Sequence, residues 1–190
     1  MFAPTLPLVT ERLLLRAFTP DDLDALHSMF GRDDVSRYLM WEPMDRDATA
    51  ALLERRITQT KVEKEGEGFG FALEERESGR FVGEVVMRWL SEESRLGEIG
   101  WSLHPDAQGK GYATEAAREL LRLGFEEMGL HRIVAECDPR NGGSIKVMER
   151  LGMRREADHL DAMWLKGEWV GSTVFAILED EWRALVRAAS

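Results

Sequence analysis

At 190 residues, 44% of them hydrophobic, the chain is long enough to bury one substantial core and too short for two, so one domain over 1–190 is expected. A formal net charge of −10 argues against a nucleic-acid surface and favours cationic partners, besides keeping the chain in solution. One cysteine excludes an internal disulfide framework, and no apolar run approaches the ~20 residues of a membrane span.

In chain order, Leu13-Leu14-Leu15 is a short apolar run between charges, which fits a first strand. Thr19-Pro20-Asp21-Asp22 starts a helix: Thr19 caps, Pro20 suits the first turn, Asp22 takes the reciprocal box position, and Leu23, Leu26, Met29 and Phe30 form the apolar face. From Val35 to Met44 the pattern breaks, with Tyr38 and Trp41 grouped before Pro43. A second helix is predicted from about Ala48 to Lys64, then a polar, glycine-bearing turn. Phe69 to Glu74 and Phe81 to Trp89 read as a hairpin joined through Ser78-Gly79-Arg80, and the next strand runs from Arg95 to Leu103.

The loop that follows, His104 to Gly111, reads as a phosphate cradle. Behind it, Ala113, Ala116, Ala117, Leu120, Leu121, Gly124 and Met128 recur at helical spacing, and Gly129 ends the helix. Gly109 and Gly111 leave main-chain N–H groups uncovered at the positive end of that helix, so a diphosphate can bind with few charged side chains. A P-loop would need glycine at 104 and Ser or Thr at 111; these are His104 and Gly111, so that reading fails. A dinucleotide fingerprint would use Gly109, Gly111 and Thr114, but it expects its first glycine directly at the strand end, and residues 104–108 intervene.

Arg132 to Cys137 is a further strand, able to run parallel to the strand before the cradle because a helix lies between them. Asp138 to Ser144 leads into a short helix ending near Leu151; strands from Met153 to Leu165 and Glu168 to Leu178 turn at Lys166-Gly167, and Glu179 to Ala189 closes as a helix. The expected fold is α/β with mixed strand directions: a twisted mixed sheet with helices on both faces.

The spacing Gln108-x-x-Gly111-x-Ala113 resembles the acyl-CoA pyrophosphate loop of the GCN5-related N-acetyltransferase (GNAT) family. The resemblance continues in order along the chain. Thr10-Glu11-Arg12-Leu13-Leu14-Leu15-Arg16 looks like the opening strand of the RimJ/RimL-like branch, which acetylates N-terminal amines of ribosomal proteins. Asn141-x-x-Ser144, Leu151-Gly152-Met153 and Glu181-Trp182 are similar to that branch's later segments. Met153 stands where the family usually has Phe. Met148 stands where many members carry a tyrosine general acid, so that acid is not carried over.

The resemblance implies acetyl-CoA as co-substrate. It would be held by main-chain groups of Gln108, Gly109, Lys110, Gly111, Tyr112, Ala113 and Thr114, with its arm between the two parallel strands, a main-chain N–H near Leu103 facing the thioester oxygen, and Asn141 anchoring the arm. The region around Tyr38 and Trp41 would wall the acceptor pocket; the alternative is that both aromatics simply pack an irregular connection. Asn141 also suits a helix cap. Glu98 is the leading proton acceptor, since it lies on the thioester strand with Gly100 and Ser102 on the same face, and desolvation would raise its pKa; the alternative is a solvated carboxylate paired with an arginine. Glu84, Asp161 and His104 are fallbacks. Ser144 is the candidate acid near the sulfur, or an early-helix serine satisfying local backbone.

Cys137 sits in an apolar run and reads as an inert thiol, while His27, His104, His131 and His159 share no ligand spacing, so no metal is expected. The N-terminus lacks a secretory pattern, so the expected address is cytoplasmic. The expected activity is acetyl transfer from acetyl-CoA to a primary amine by direct attack, with a protein N-terminus as acceptor. Alternatives are a small amine (polyamine, amino acid or antibiotic), an acyl-CoA sensor without turnover, and, through Gly109 and Gly111 alone, a nicotinamide oxidoreductase. A homodimer is left open.

Overall fold

Alternating apolar residues fold the first half of the chain into an antiparallel meander with a helical insertion. In the computed structural model, which describes residues 1–189, a short strand β1 (Leu8–Val9) pairs with β2 (Leu13–Arg16). Thr19 and Asp22 exchange the expected reciprocal contacts around a 3-10 turn, and Arg16 grips the Asp22 carboxylate at 2.7 Å before helix α1 (Leu23–Phe30) begins. A four-residue helix α2 (Asp33–Ser36) interrupts the connection that sequence left irregular. Helix α3 runs over Arg46–Thr58, shorter than the predicted 48–64. The helix stops because Val62 is drawn away into a backbone bridge with Phe2, with N···O distances of 2.7 and 2.9 Å, and is completely buried there.

Strands β3 (Gly68–Glu75), β4 (Arg80–Ser91) and β5 (Leu96–Leu103) continue the meander. Helix α4 (Tyr112–Arg122), extended by a wider π turn over Leu123–Glu127, carries the chain back so that β6 (Arg132–Cys137) lies parallel to β5. Helix α5 (Gly142–Arg150) leads to β7 (Arg154–Leu165) and β8 (Glu168–Leu178), and α6 (Glu179–Ala189) closes the fold. The sheet order is β1-β2-β3-β4-β5-β6-β8-β7, mixed in direction as expected.

Two apolar clusters sandwich the sheet. On one face Ala116, Ala117, Leu120 and Leu121 of α4, Met148 of α5 and Trp182 of α6 pack on Phe71, Val85, Met87, Ile99 and Ile133. On the other, Leu26, Met29 and Phe30 of α1 and Leu52 and Leu53 of α3 pack on Ala72 and Phe18. Met148 and Met153 both lie in the first cluster, so each fills core volume where the family has a ring. Each such fully buried side chain contributes about 1.5–3 kcal/mol. The result holds β5, β6 and the amino ends of α4 and α5 around one cleft.

Candidate functional site

The site begins where two strands part. β5 and β6 are in register only at Leu96↔Arg132, Gly97↔Ile133 and Glu98↔Val134, and beyond Glu98 the partner of β6 is β8 alone. His131 N–H bonds Arg95 O while His104 N–H bonds Val82 O, so odd residues of β5 aim their backbone groups toward β6. The Ile99 C=O, both main-chain groups of Trp101 and the Leu103 N–H therefore turn into the gap, where an extended amide-bearing arm would find them. Gln108 Nε2 donates to Leu103 O at 3.2 Å and links the gap to the cradle.

At the cradle, no acceptor among the described residues takes up the N–H groups of Gly109 through Thr114; the first satisfied amide is Glu115, at 3.0 Å from Gly111 O. Gly111 caps α4 at φ +85°, a conformation that costs a side-chain-bearing residue energy, and a Cβ there would stand 3.3 Å from Arg12 Nη2. A Cβ on Gly109 would meet nothing within 4 Å, so the backbone there is bare. Free amides at the positive end of a long helix suit a diphosphate.

The rear of the cradle is held by Thr10, Arg12 and Glu115, to which sequence reading gave no role in the site. Arg12 donates to Lys110 O at 2.8 Å, pairs with Glu115 at 2.7 Å and lies 4.9 Å over the Tyr112 ring, while the Thr10 hydroxyl donates to Glu115 at 2.6 Å. Burial works to raise the Glu115 carboxyl, but the bonds from Thr10 and Arg12 hold it lower. Between 98 and 105 positions of chain separate these partners, so no local pattern could reveal them.

The cleft between cradle and gap has a volume of about 390 Å³. Of the sequence candidates it brings together Tyr38, Leu103, Gln108, Gly109, Ala113, Asn141 and Ser144, and it adds Asp34, Val35, Leu39, Trp101 and Arg140. Asn141 caps α5 by accepting the Ser144 N–H at 3.1 Å. Gly111 and Thr114 face a second groove, with Arg12, Arg118 and Arg150, and the buried Thr114 hydroxyl has no partner among the described residues. The Tyr112 side chain is buried and donates to Glu75, so only its backbone belongs to the cradle. Trp41 packs edge-on against Phe30 at 5.9 Å, off the cleft lining, as a packing residue would.

Glu98 stands at the vertex of the parted strands. Among the described residues its one ion pair is to Arg88, at 3.1 Å. Burial raises its carboxyl above the usual range, Arg88 pulls the other way, and the Glu136 carboxylate on β6 adds to the rise. Among the fallbacks, Glu84 is buried and clasped by Arg56, His104 accepts from Asp106 N–H at 3.3 Å, and Asp161 is exposed on β7. Burial and the neighbouring Asp138 push the Cys137 thiol up to about 11, which leaves it protonated at neutral pH and a poor nucleophile. No group of potential metal ligands is found among the described residues, and no helix is long and apolar enough to cross a membrane.

Four similarities with known proteins bear on this geometry. The sequence model of the acetyltransferase (GNAT) domain matches residues 12–154. The N-acetyltransferase YnaD of Bacillus subtilis, itself uncharacterized, is 35% identical over 176 residues, 92% of this chain and 98% of its own. The crystal structure of a GNAT-family acetyltransferase from Bacillus anthracis superposes with a TM-score of 0.82 at 33% identity, covering 92% of this chain and 99% of that one. Spermidine N(1)-acetyltransferase of Escherichia coli is 24% identical over 170 residues, 90% of this chain and 88% of its own.

Proposed function

This chain belongs to the GNAT acetyltransferase family, and from that premise we propose which residues carry its chemistry and which amine it modifies. It is an N-acetyltransferase, and acetyl-CoA is its co-substrate. Acetyl-CoA supplies an acyl group already activated as a thioester, so the protein has to supply position, charge and proton traffic. The observation that carries the assignment is the parting of β5 from β6 just beyond Glu98, with the open amides of Gly109 to Thr114 at the other end of the cleft.

In our reading those amides hold the diphosphate, and the Ile99 C=O and the main-chain groups of Trp101 hold the arm. Asn141 spends its Oδ1 on the cap and keeps its Nδ2 for the arm. The N–H of Leu103 is the donor offered to the acyl oxygen. Glu98 takes the proton that the acceptor ammonium must lose before its nitrogen can attack, helped by its raised pKa, and the Ser144 hydroxyl gives a proton to the leaving thiolate. A thiol held protonated at Cys137 supports direct attack rather than transfer through the enzyme.

The acceptor we propose is the N-terminal amine of a protein, because the pattern from Thr10 to Trp182 resembles the ribosomal-protein-acetylating branch. A polyamine is the second reading, favoured by the spermidine-acetylating relative. The test sets peptides with free N-termini against spermidine. We expect the higher kcat/KM for a peptide; a higher value for spermidine moves the acceptor to the second reading. At about a hundredfold its Kd, acetyl-CoA should stabilise the fold by ~2.7 kcal/mol, and NAD should not. Tight acetyl-CoA binding with no turnover of any amine would mark a sensor instead.

A further inference from the structure

Among the described residues, the hydrogen bonds and ion pairs of segment 32–39 stay inside that segment, with one exception. Arg32 pairs with Asp34 at 2.8 Å, the Ser36 N–H reaches Arg32 O at 3.0 Å, and the Leu39 N–H reaches Ser36 O at 2.8 Å. The exception comes from the far end of the chain: Lys166 Nζ donates to the same Ser36 carbonyl at 2.5 Å, across a separation of 130 positions. Ser36 is only 2% exposed, so the side chain of Lys166, itself exposed at the hairpin tip, ends on a covered carbonyl.

Lys166 is an unusual residue for its own position. With Gly167 it turns β7 into β8, at φ +52° and +80° respectively. Hairpin turns with two successive left-handed residues favour Asn, Asp or Gly at the first, because a larger side chain crowds the backbone there. Among the described residues the lysine makes no local side-chain bond to offset the crowding; what it has instead is a long stem that carries its donors to Ser36.

We propose that Lys166 is a positioning residue that pins the wall formed by Asp34, Val35, Tyr38 and Leu39 to the tip of the β7–β8 hairpin and thereby fixes the width of the acceptor end of the cleft. This rests on the acetyltransferase reading of the cleft. The four wall residues line the same cleft as Trp101, Leu103 and Ser144, yet none belongs to the cradle or to the parted strands. What they are left to meet is the acceptor. Val35 and Leu39 also pack against the second core, which keeps the wall folded but leaves its polar backbone held from outside at one point.

The experiment compares wild type with Lys166→Met, which keeps the stem and removes the donors, and Lys166→Arg, which keeps charge and donors. Hydrogen exchange is measured over residues 33–41, acetyl-CoA binding by calorimetry, and saturation kinetics with a peptide bearing a free N-terminus and with spermidine. Exchange in the segment should quicken by roughly tenfold or more in Lys166→Met, stay near wild type in Lys166→Arg, and not change in the cradle. For the amine that turns over, KM should rise about three- to tenfold in Lys166→Met, with kcat within about twofold and acetyl-CoA affinity unchanged. Equal exchange in all three proteins would overturn the proposal. So would lost acetyl-CoA affinity with an unchanged acceptor KM, since the wall would then serve the cofactor. If neither amine is turned over, it is the acceptor reading that fails, and the exchange comparison still decides whether Lys166 holds the wall.

Discussion

Two glutamates on neighbouring strands of the sheet, Glu84 on β4 and Glu98 on β5, point to the same face, since Glu84 lies opposite Ser102 and Arg88 opposite Glu98. Glu84 has both oxygens committed: Arg56 of α3 reaches them at 2.8 and 2.9 Å, and the guanidinium is itself largely covered. Among the described residues the Glu98 carboxylate has one polar partner, at 3.1 Å, an arginine whose side chain is 57% exposed, and it stands where the strands part. Residue type and sheet face are therefore not what separates a structural carboxylate from a reactive one. The partner decides: a two-point clasp under a helix fixes Glu84, whereas a loose neighbour at an open vertex leaves Glu98 an oxygen to accept a proton.

The largest effect expected from breaking this contrast is on catalysis. Glu98→Gln should lower turnover by ~10²–10⁴ with acetyl-CoA affinity little changed, and the acidic limb of the pH profile should disappear. In wild type that limb should lie above the ordinary carboxylate range, in keeping with the burial-driven rise. Glu84→Gln should act on stability instead. It leaves the buried Arg56 without its countercharge, at a cost of ~3–5 kcal/mol, which denaturant titration would read. Turnover should survive. Lost turnover with unaltered stability would transfer the proton-accepting role to Glu84.

A smaller effect should follow from Arg88→Ala. A cation beside a carboxylate favours its charged form, so removing Arg88 should move the acidic limb further up, by no more than about one pH unit for so exposed a partner. A limb that moved down would mean that Arg88 does not act on the titrating group. The smallest expected effect concerns stability. A carboxyl whose folded-state pKa exceeds its unfolded value costs the fold stability at higher pH and nothing below the unfolded value. Glu98→Gln should therefore melt slightly higher than wild type at neutral pH. That gain should fade as pH falls from the raised folded value through the ordinary carboxylate range, in melting scans across pH.

Much of this arrangement could be read before the structure. The α4 face, the β3–β4 hairpin and the cradle glycines are local patterns, and each emerges where periodicity and turn chemistry put it. What escaped was decided at long range. β1 exists because it pairs with β2, α3 ends early because Phe2 claims Val62, and α2 is a single turn with no period to detect. The cleft shows the same division. Gln108, Gly109 and Asn141 were legible as types at a spacing, but Arg12 behind the cradle, Arg140 in the cleft and the clasp on Glu84 depend on partners brought together by the sheet. A carboxylate's fate is written in its neighbours, and those are not adjacent in the chain.

The π turn at the end of α4 fixes more than a bend. It sets Gly124 so tightly on β6 that a Cβ there would come within 2.5 Å of Ile133 Cδ1, while the other end of the helix, at Gly111, carries the cradle. At 1.5 Å of rise per residue the span between these glycines is a rigid spacer of roughly 20 Å. Its length is a gauge for the whole site. One residue added between them would swing the cradle by about 100° around the helix axis, so this span should reject insertions and deletions that the polar turn before β3 would absorb.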